Sequence, residues 1–547
     1  MHAQYTVRRR KCMGVYLNPG ADNFIEARKS KIYVDKSGII SYLNSVAGTT
    51  QKYVCVSRPR RFGKSMAADM ISAYYDRTTE AKELFSGLGI EQDESFEEYA
   101  NKYDVIALNM QEFLSNSDTM EELLALLKKS VLWDLKDEYP NVRYFDGKNL
   151  SRSMRDVFAA TRRKFVILID EWDCIFREYR ERKDDQEKYL DFLRDWLKDK
   201  SYIALAYMTG ILPIKKYGTH SALNMFAEYS MINAGGIAKY TGFTEGEVKS
   251  LCEKYHMSFD ETKAWYDGYR LEQTIEQPKD GKRTETIEIY SPRSVVSSMI
   301  EGKFAPYWNQ TESFEALRIY IDMNFDGLRD DIIAMMSGES KKIDIRSFTN
   351  DMVTFNTADD VMTLLVHLGY LGYDSRSESV FIPNHEIMRE YVTATATSRW
   401  SEIINSVKKS DELLTATWAM DAARVAEGIE NAHIETSHIQ YNDENALSYT
   451  LSLAYYAARQ YYTMIREMPA GNGFADIIYV PRQKYADKPA MIAELKWNKD
   501  ADTSIRQIKE KKYVKALEGY VGDVLLIGID YDKKTRKHEC KIEKLTI

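Results

Sequence analysis

The chain has few cysteines and few prolines. Among 547 residues there are 11 prolines and five cysteines, and no cysteine belongs to a CxxC pair or to a Cys/His cluster with zinc-binding spacing. A disulfide framework is therefore not expected, and the pattern fits a reducing cytoplasm. The scarcity of proline and the absence of a repeated unit argue against a disordered chain or a solenoid. The cysteines are Cys12, Cys55, Cys174, Cys252 and Cys540.

Long apolar segments and a strong excess of one charge are also missing. No run of 18 apolar residues occurs, so the sequence predicts no membrane-spanning helix. Residues 1–11 are polar and basic with no apolar segment behind them, so we expect no signal peptide. The formal net charge of −8 opposes affinity of the whole chain for nucleic acid, although a local basic groove would still bind it. The length predicts about three domains.

Strand-like and helix-like segments alternate over residues 1–245. The run at 165–169 is apolar throughout, as expected for a strand buried on both faces. Strands that alternate with helices predict an α/β fold with a parallel sheet and flanking helices. The apolar runs lie at 53–56, 105–109, 165–169 and 202–208.

The rest of the chain divides into two further parts. Residues 246–385 are predicted to be mainly helical and to form a middle or lid region. Residues 386–547 begin with helices and then become strand-rich, with a helix between the second and third strands. The predicted strands cover 474–480, 490–497 and 523–532, and the helix covers 502–517.

A basic, glycine-containing loop follows the first apolar run. Residues 57–65 read Ser-Arg-Pro-Arg-Arg-Phe-Gly-Lys-Ser and end in the Gly63, Lys64 and Ser65 of a Walker A motif, whose first glycine position is here Arg58. Backbone N–H groups at the start of the next helix favour an anion. We expect Lys64 to contact ATP phosphates and Ser65 to ligate Mg²⁺. The alternative interpretation is a basic turn before a helix.

The loop carries three arginines, Arg58, Arg60 and Arg61, which are predicted to add positive charge to it. Arg60 and Arg61 are predicted to bind the nucleotide. The apolar run at 165–169 ends in Asp170 and Glu171, as in a Walker B strand. We expect Asp170 to hold Mg²⁺ and Glu171 to activate the attacking water. The alternative is an acidic loop after a buried strand.

Thr209 follows the next apolar run. It is predicted to sense the γ-phosphate from an adjacent strand tip, and a simple turn at a strand end explains it equally well.

A second group of charged residues lies near the C-terminus. Side chains alternate between the two faces of a strand, so Glu494 and Lys496 share the face opposite an apolar row. A neighbouring strand that carries Asp476 would bring a second carboxylate close. Two carboxylates and a lysine suit a Mg²⁺ site that activates water on a phosphodiester, with Mn²⁺ as an alternative ion. A solvated strand face with a Glu–Lys pair fits the same spacing.

Several residues nearby are candidates for supporting roles. Gln507 and Tyr513 follow in the next helix and are predicted to be accessory residues. Glu444 precedes Asp476 in a helical segment and is a candidate third acidic ligand, although a glutamate at a helix start also stabilises the helix dipole. The basic residues at 509–512 are predicted to lie near a nucleic-acid backbone or simply in solvent.

Taken together, these motifs resemble a bacterial family that fuses an AAA-ATPase-like domain to a C-terminal PD-(D/E)XK nuclease-like domain. The stretches that carry the resemblance span nearly the whole chain in the order of that family. They are residues 33–37, 57–65, 169–173, 241–244, 265–270, 368–371, 382–384, 471–476, 494–496 and 507–508.

The resemblance implies a P-loop NTPase core in residues 1–245, a middle region in 246–385 and a restriction-endonuclease-like α/β domain in 386–547. It implies that Arg58 is normal at its position. It also implies that one phosphate contact is missing, because Phe474 stands where many such nuclease motifs carry arginine. The implied ATP site comprises Lys64, Ser65, Asp170 and Glu171, and the implied nuclease site comprises Asp476, Glu494 and Lys496, with Gln507 accessory.

Three functions are compatible with the sequence. The first is an ATP-dependent nuclease, with DNA as the favoured substrate, that acts in defence against mobile DNA or in repair. The second is an ATP-switched scaffold that binds nucleic acid or protein without cleaving. The third is a structural ATPase whose C-terminal domain mediates formation of a homo-oligomer.

Overall fold

A computed structural model describes most of the chain. No helix in this part of the chain is long and apolar enough to cross a membrane. Contacts between residues group the chain into two compact units, 1–313 with 325–327 and 340–389, and 314–324 with 328–339 and 390–547. The division at residues 245 and 385 stays a prediction. The described residues are 14–214, 223–277, 281–308, 317, 319–320, 327–336, 338–350, 352, 355–396, 401–435, 451, 454–455, 458–470, 473–482, 485–511, 513, 517, 520, 522–535 and 537–546.

The first unit contains a five-stranded parallel sheet. Its apolar strands are almost entirely buried, as the unbroken apolar runs of the sequence predict. The strand order is β2-β3-β4-β1-β5, so β4 lies between β1 and β3. The polar residues that end these three strands therefore meet at one edge of the sheet. The strands are β1 Tyr53–Ser57, β2 Asp104–Asn109, β3 Phe165–Asp170, β4 Ile203–Gly210 and β5 Ala227–Tyr229.

Helices flank this sheet and connect its parallel strands. An apolar core around β1 and β3 includes Ile40, Ile71 and Leu168. Short 3₁₀ helices occupy Gly89–Gln92 and Gly235–Tyr240. The α-helices are α1 Asp22–Arg28, α2 Gly38–Val46, α3 Lys64–Tyr75, α4 Ala81–Leu84, α5 Phe96–Tyr99, α6 Met110–Ser115, α7 Met120–Glu138, α8 Leu150–Thr161, α9 Cys174–Glu178 and α10 Lys183–Leu197.

The middle region contains strands as well as the predicted helices. A long antiparallel hairpin pairs β7 with β8, and β6 joins it in a sheet of order β6-β8-β7. The alternation of Ile287 and Ile289 with charged residues in β8 is the sequence signal for this hairpin. Three short strands form a second sheet of order β10-β11-β9. The strands are β6 Phe243–Thr244, β7 Tyr269–Gln277, β8 Gly281–Tyr290, β9 Lys341–Lys342, β10 Gly372–Asp374 and β11 Ser379–Phe381.

The helices from the middle region onward are amphipathic. Thr244 and Thr357 begin two of them, α11 and α15, with capping boxes, in which side chain and backbone at the helix start bond reciprocally. The helices are α11 Glu245–Tyr255, α12 Phe259–Tyr266, α13 Pro292–Glu301, α14 Leu328–Met336, α15 Ala358–Leu368, α16 His385–Ala396, α17 Ser401–Trp418, α18 Ala422–Glu435, α19 Ala458–Tyr461 and α20 Ala501–Glu510.

The second unit contains a mixed five-stranded sheet in sequence order. Neighbouring strands are antiparallel except β14 and β15, which are parallel because α20 crosses between them. The three predicted strands appear as β13, β14 and β15, whereas β12 begins at Tyr462, inside the segment 445–466 for which the sequence predicts a helix. The strands are β12 Tyr462–Ala470, β13 Gly473–Pro481, β14 Ala490–Trp497, β15 Asp523–Asp532 and β16 Lys537–Thr546.

The two faces of this sheet are both apolar. Met491, Ala493 and Leu495 of β14 pack in one core with residues of α17 and α18. Ile492 packs on the opposite face with Ile508 of α20. Glu494 and Lys496 share the side of Ile492, as the alternation predicts.

Candidate nucleotide and metal sites

The phosphate loop connects β1 to α3. Gly63 precedes the helix with φ +81°, and the space in which a Cβ would lie is open. No side chain among the described residues caps the first N–H groups of α3. A left-handed glycine and free helix N–H groups allow a phosphate to approach the backbone closely, so this loop fits a nucleotide. Ser65 lies exposed in the first turn.

Lys64 lies between the loop and the acidic edge of the sheet. Its side chain is only 5% exposed, and its Nζ donates a hydrogen bond to the Pro59 carbonyl oxygen at 3.0 Å. Burial lowers the pKa of this ammonium, while the nearby carboxylates of Glu171 and Asp170 raise it. The positive charge of Lys64 therefore lies within the phosphate loop, where it could contact a bound phosphate.

Asp170, the last residue of β3, and Glu171, which follows it, lie beside the end of β4. The Thr209 hydroxyl donates a hydrogen bond to Asp170 Oδ1, which also accepts from the Glu171 backbone N–H at 3.0 Å. Burial raises the pKa of Glu171, whereas Lys64 lowers it. The structure therefore brings the predicted lysine, both carboxylates and the threonine to one edge of the sheet.

Two residues of this site were not predicted from the sequence. Arg177 forms an ion pair with Glu171, and its Nε lies 3.4 Å from Asp173 Oδ2. The spacing of four residues between Asp173 and Arg177 on α9 is a weak signal for such a pair. The contact with Glu171 depends on the turn after β3 and leaves no pattern in the sequence.

The three arginines of the phosphate loop have different environments. Arg58 is buried and donates from Nη1 to the carbonyl oxygens of Ser57 and Tyr229, at 2.9 and 3.0 Å, so it links β1 to β5. Burial lowers its pKa to about 10. Arg61 donates from Nη1 to the carbonyl oxygen of Tyr307 at 2.8 Å. Burial and the nearby Arg177 charge lower the pKa of Arg60, while the carboxylates of Glu171 and Asp173 raise it.

The aromatic motif at 265–270 supports the phosphate loop from the middle region. The Tyr269 ring packs edge-on against Phe62 with centroids 5.2 Å apart. Its hydroxyl donates to the Gly369 carbonyl oxygen at 2.7 Å. This motif is therefore part of the packing around the loop.

The C-terminal carboxylates meet on neighbouring strands. Asp476 on β13 accepts a hydrogen bond from the Leu495 backbone N–H at 2.7 Å, which places it next to Glu494 on β14. Lys496 Nζ donates to Glu494 Oε1 at 2.9 Å. The three residues of the predicted Asp…Glu-x-Lys pattern therefore form one cluster.

Residues of and after α20 complete this cluster. The Gln507 amide donates hydrogen bonds to Glu494 Oε1 and, at 3.0 Å, to the Tyr513 hydroxyl. Both predicted accessory residues thus lie at the site. Glu444, the candidate third acidic ligand, lies outside the described residues.

Glu494 is suited to hold a cation. Its side chain is 1% exposed, and Oε2 has no hydrogen-bond partner among the described residues. A metal ion would satisfy such a buried carboxylate oxygen. Within the described ranges no three His, Cys, Asp or Glu side chains are grouped to hold a metal, so Asp476 and Glu494 supply two carboxylates.

The pKa of Glu494 predicts a dependence of stability on pH. Burial, and then the Asp476 charge, raise this pKa from 4.5 to about 7, while Lys496 lowers it. The folded, metal-free chain therefore retains a proton that the unfolded chain has lost between these values. The free energy of unfolding should fall by up to about 3 kcal/mol as pH rises through this window.

Glu494→Gln removes this titration. We expect calorimetric unfolding of the full chain in EDTA to show a smaller loss of stability in the variant than in the parent between about pH 5 and about pH 8. Glu510→Gln, at the exposed end of α20, is the matched control. Equal pH dependence in the parent and Glu494→Gln would contradict the raised pKa.

Comparisons with known proteins match this arrangement. Residues 19–219 match the family described as a predicted AAA-ATPase, and residues 444–541 match the PD-(D/E)XK nuclease superfamily. An Azotobacter chroococcum mcd 1 protein, named "Uncharacterized protein in vnfD 5'region", is 24% identical over 304 residues, which are 53% of each chain. The chain thus spans about half the length of this curated relative.

One solved structure that aligns with the chain is that of the Aeropyrum pernix ORC2 protein in ADPNP-ADP complexes. The TM-score is 0.26 and the sequence identity is 11%, and the alignment covers 69% of this chain and 99% of that chain. The first family match covers β1 to β4 of the parallel sheet, and the second covers β12 to β15 and part of β16. The chain therefore contains an AAA-ATPase-like domain at residues 19–219 and a PD-(D/E)XK nuclease-like domain at residues 444–541.

Proposed function

We propose that the chain binds and hydrolyses ATP at the carboxyl edge of the parallel sheet. The observation that supports hydrolysis most is the grouping of Lys64, Asp170 and Glu171 at this edge. Bound MgATP supplies the γ-phosphoryl group and a divalent ion that neutralises its charge. The N–H groups that start α3 and the Lys64 ammonium hold the phosphates.

The remaining residues of the site have separate roles. Ser65 and Asp170 hold the divalent ion. Glu171 orients the attacking water and accepts its proton. Thr209 reports the state of the phosphates through its hydrogen bond to Asp170. Arg60 adds positive charge near the nucleotide.

We propose that the C-terminal domain is a metal-dependent phosphodiesterase that acts on nucleic acid, with DNA favoured. The single observation that carries this proposal is the orphaned, buried Oε2 of Glu494 beside Asp476. A bound Mg²⁺ or Mn²⁺ supplies Lewis-acid activation of the phosphodiester. Asp476 and Glu494 hold the ion, and Lys496 orients a water or stabilises negative charge on the phosphate. We place this activity in the cytoplasm, in defence against mobile DNA or in repair.

The test of the nuclease assignment is a panel of end-labelled single- and double-stranded DNA and RNA. The purified full chain is incubated with each substrate in Mg²⁺, in Mn²⁺ and in EDTA. We expect cleavage of DNA that requires the metal. The absence of cleavage of every substrate in both metals would contradict the nuclease assignment.

A second function is favoured by one observation. Among the described residues only two carboxylates are grouped at the proposed metal site. Glu494 Oε1 already accepts hydrogen bonds from Lys496 and Gln507. An ATP-switched protein that binds nucleic acid or protein without cleaving it would need no more than this. Metal-independent binding of the same substrates without cleavage would support this second function.

A further inference from the structure

A buried ion-pair network lies behind the acidic end of β3. Arg177 is 7% exposed, and its guanidinium contacts the carboxylates of both Glu171 and Asp173. Asp173 is fully buried. A buried charge needs an opposite charge beside it, so these three side chains depend on one another for their positions.

Asp173 also fixes this network to the neighbouring strand. Its Oδ2 accepts hydrogen bonds from the backbone N–H groups of Ile211 and Leu212, at 3.0 and 2.8 Å, directly after the end of β4. Gly210 permits the approach, because a Cβ there would lie 2.6 Å from Asp173 Oδ1 and 2.8 Å from a ring carbon of Trp172. The position of Arg177 is therefore set by β4 as well as by its own helix.

Glu171 has no comparable support of its own. It follows β3 in a left-handed conformation with φ +52°, outside the regular backbone of the strand. Its side chain is only partly exposed and forms an ion pair with Arg177. A carboxylate that must meet a water at one position needs a partner that fixes its direction.

We infer that Arg177, anchored by Asp173, is the positioning residue that holds the Glu171 carboxylate in place for ATP hydrolysis. This inference rests on the proposed ATPase function, in which Glu171 acts on water. Arg177 has no contact with substrate in this scheme. It acts through Glu171, and the same network links Glu171 to the strand that carries Thr209, so the base and the phosphate-sensing threonine share one rigid support.

The test compares steady-state ATP hydrolysis by the parent, Arg177→Met, Arg177→Lys and Glu171→Gln full chains. Displacing a catalytic group by about 1 Å costs about a hundredfold in rate, so we expect kcat of Arg177→Met to fall by about this factor. KM and the Kd for ATP should stay within about twofold of the parent, because uniform substrate binding is untouched. Arg177→Lys should recover part of kcat, since it retains the charge.

The matched control is Arg182→Met, which changes an exposed arginine that stacks on Tyr179 and should leave hydrolysis unchanged. Should Arg177→Met fail to fold, Asp173→Asn tests the same network with little change in shape, and it should lower kcat at unchanged KM.

The possible outcomes separate the inference from the function on which it rests. A parent that hydrolyses no ATP overturns both. Hydrolysis that is lost in Glu171→Gln but equal to or faster than the parent in Arg177→Met overturns the inference alone. A rise in KM that accounts for the whole loss in kcat/KM also overturns the inference, because Arg177 would then bind the nucleotide.

Discussion

Asp476→Ala is expected to abolish nucleic-acid cleavage. Asp476 supplies one of the two carboxylates at the proposed metal site, and its removal leaves Glu494 as the only carboxylate ligand among the described residues. Removing a residue on which a catalytic unit depends costs a thousandfold or more in rate, so we expect a loss of about that size. The measurement is the initial rate of cleavage of an end-labelled DNA in Mg²⁺ and in Mn²⁺.

The control for this variant is Asp502→Asn. Asp502 lies on α20 in the same domain, is 62% exposed and forms an ion pair with Lys541, so its replacement should leave cleavage unchanged. ATP binding by Asp476→Ala should equal that of the parent, since the residue belongs to the other unit. Equal cleavage by Asp476→Ala and the parent would rule out the assigned site.

Lys64→Ala is expected to remove ATP hydrolysis and to weaken ATP binding. The Lys64 ammonium is buried near the carboxylates of Asp170 and Glu171. Loss of a charge-assisted contact with phosphate should raise the Kd for ATP at least about tenfold, from the roughly 1.5–3 kcal/mol of such bonds. The measurements are calorimetric ATP binding and release of phosphate.

Two further variants complete this experiment. Lys82→Ala changes an exposed lysine, 81% accessible and distant in sequence from the loop, and should behave as the parent. Glu171→Gln should bind ATP with unchanged affinity and hydrolyse it at least about a hundredfold more slowly, as expected for loss of a general base. Tight ATP binding and normal hydrolysis by Lys64→Ala would contradict the nucleotide site.

Much of the nucleotide site is predictable because its residues end buried strands. A continuous apolar run such as 165–169 is typical of a strand buried inside a parallel sheet. The polar residues that follow such a strand then lie at the carboxyl edge of the sheet. Lys64, Asp170 and Thr209 could therefore be grouped without knowledge of strand order. The order itself, with β4 between β1 and β3, makes Thr209 a neighbour of Asp170.

Contacts that depend on side-chain direction could not be predicted in the same way. Arg58 was expected to add charge to the loop, yet its guanidinium turns toward the carbonyl oxygen of Tyr229 on β5. The ion pair of Arg177 with Glu171 requires the left-handed turn at Glu171, which no local pattern in the sequence signals. Such contacts result from packing of the whole unit.

The C-terminal site also combines features that the sequence predicts with contacts that it does not predict. Alternation along β14 predicts that Glu494 and Lys496 share a face, because the period of a strand is two. The approach of Asp476 depends on the pairing of β13 with β14, and the contact of Gln507 with Glu494 depends on how α20 packs. The hairpin of β7 and β8 was not predicted from the sequence, although Ile287 and Ile289 alternate with polar and charged residues in β8.

The measurement that tests the central claim most directly is cleavage of DNA by the parent chain in Mg²⁺, with and without ATP, beside Lys64→Ala and Asp476→Ala. If the chain is an ATP-dependent nuclease, ATP should change the rate of DNA cleavage by the parent and leave the rate of Lys64→Ala unchanged. Asp476→Ala should not cleave DNA under either condition. The absence of metal-dependent cleavage by the parent, with ATP or without it, would contradict this account.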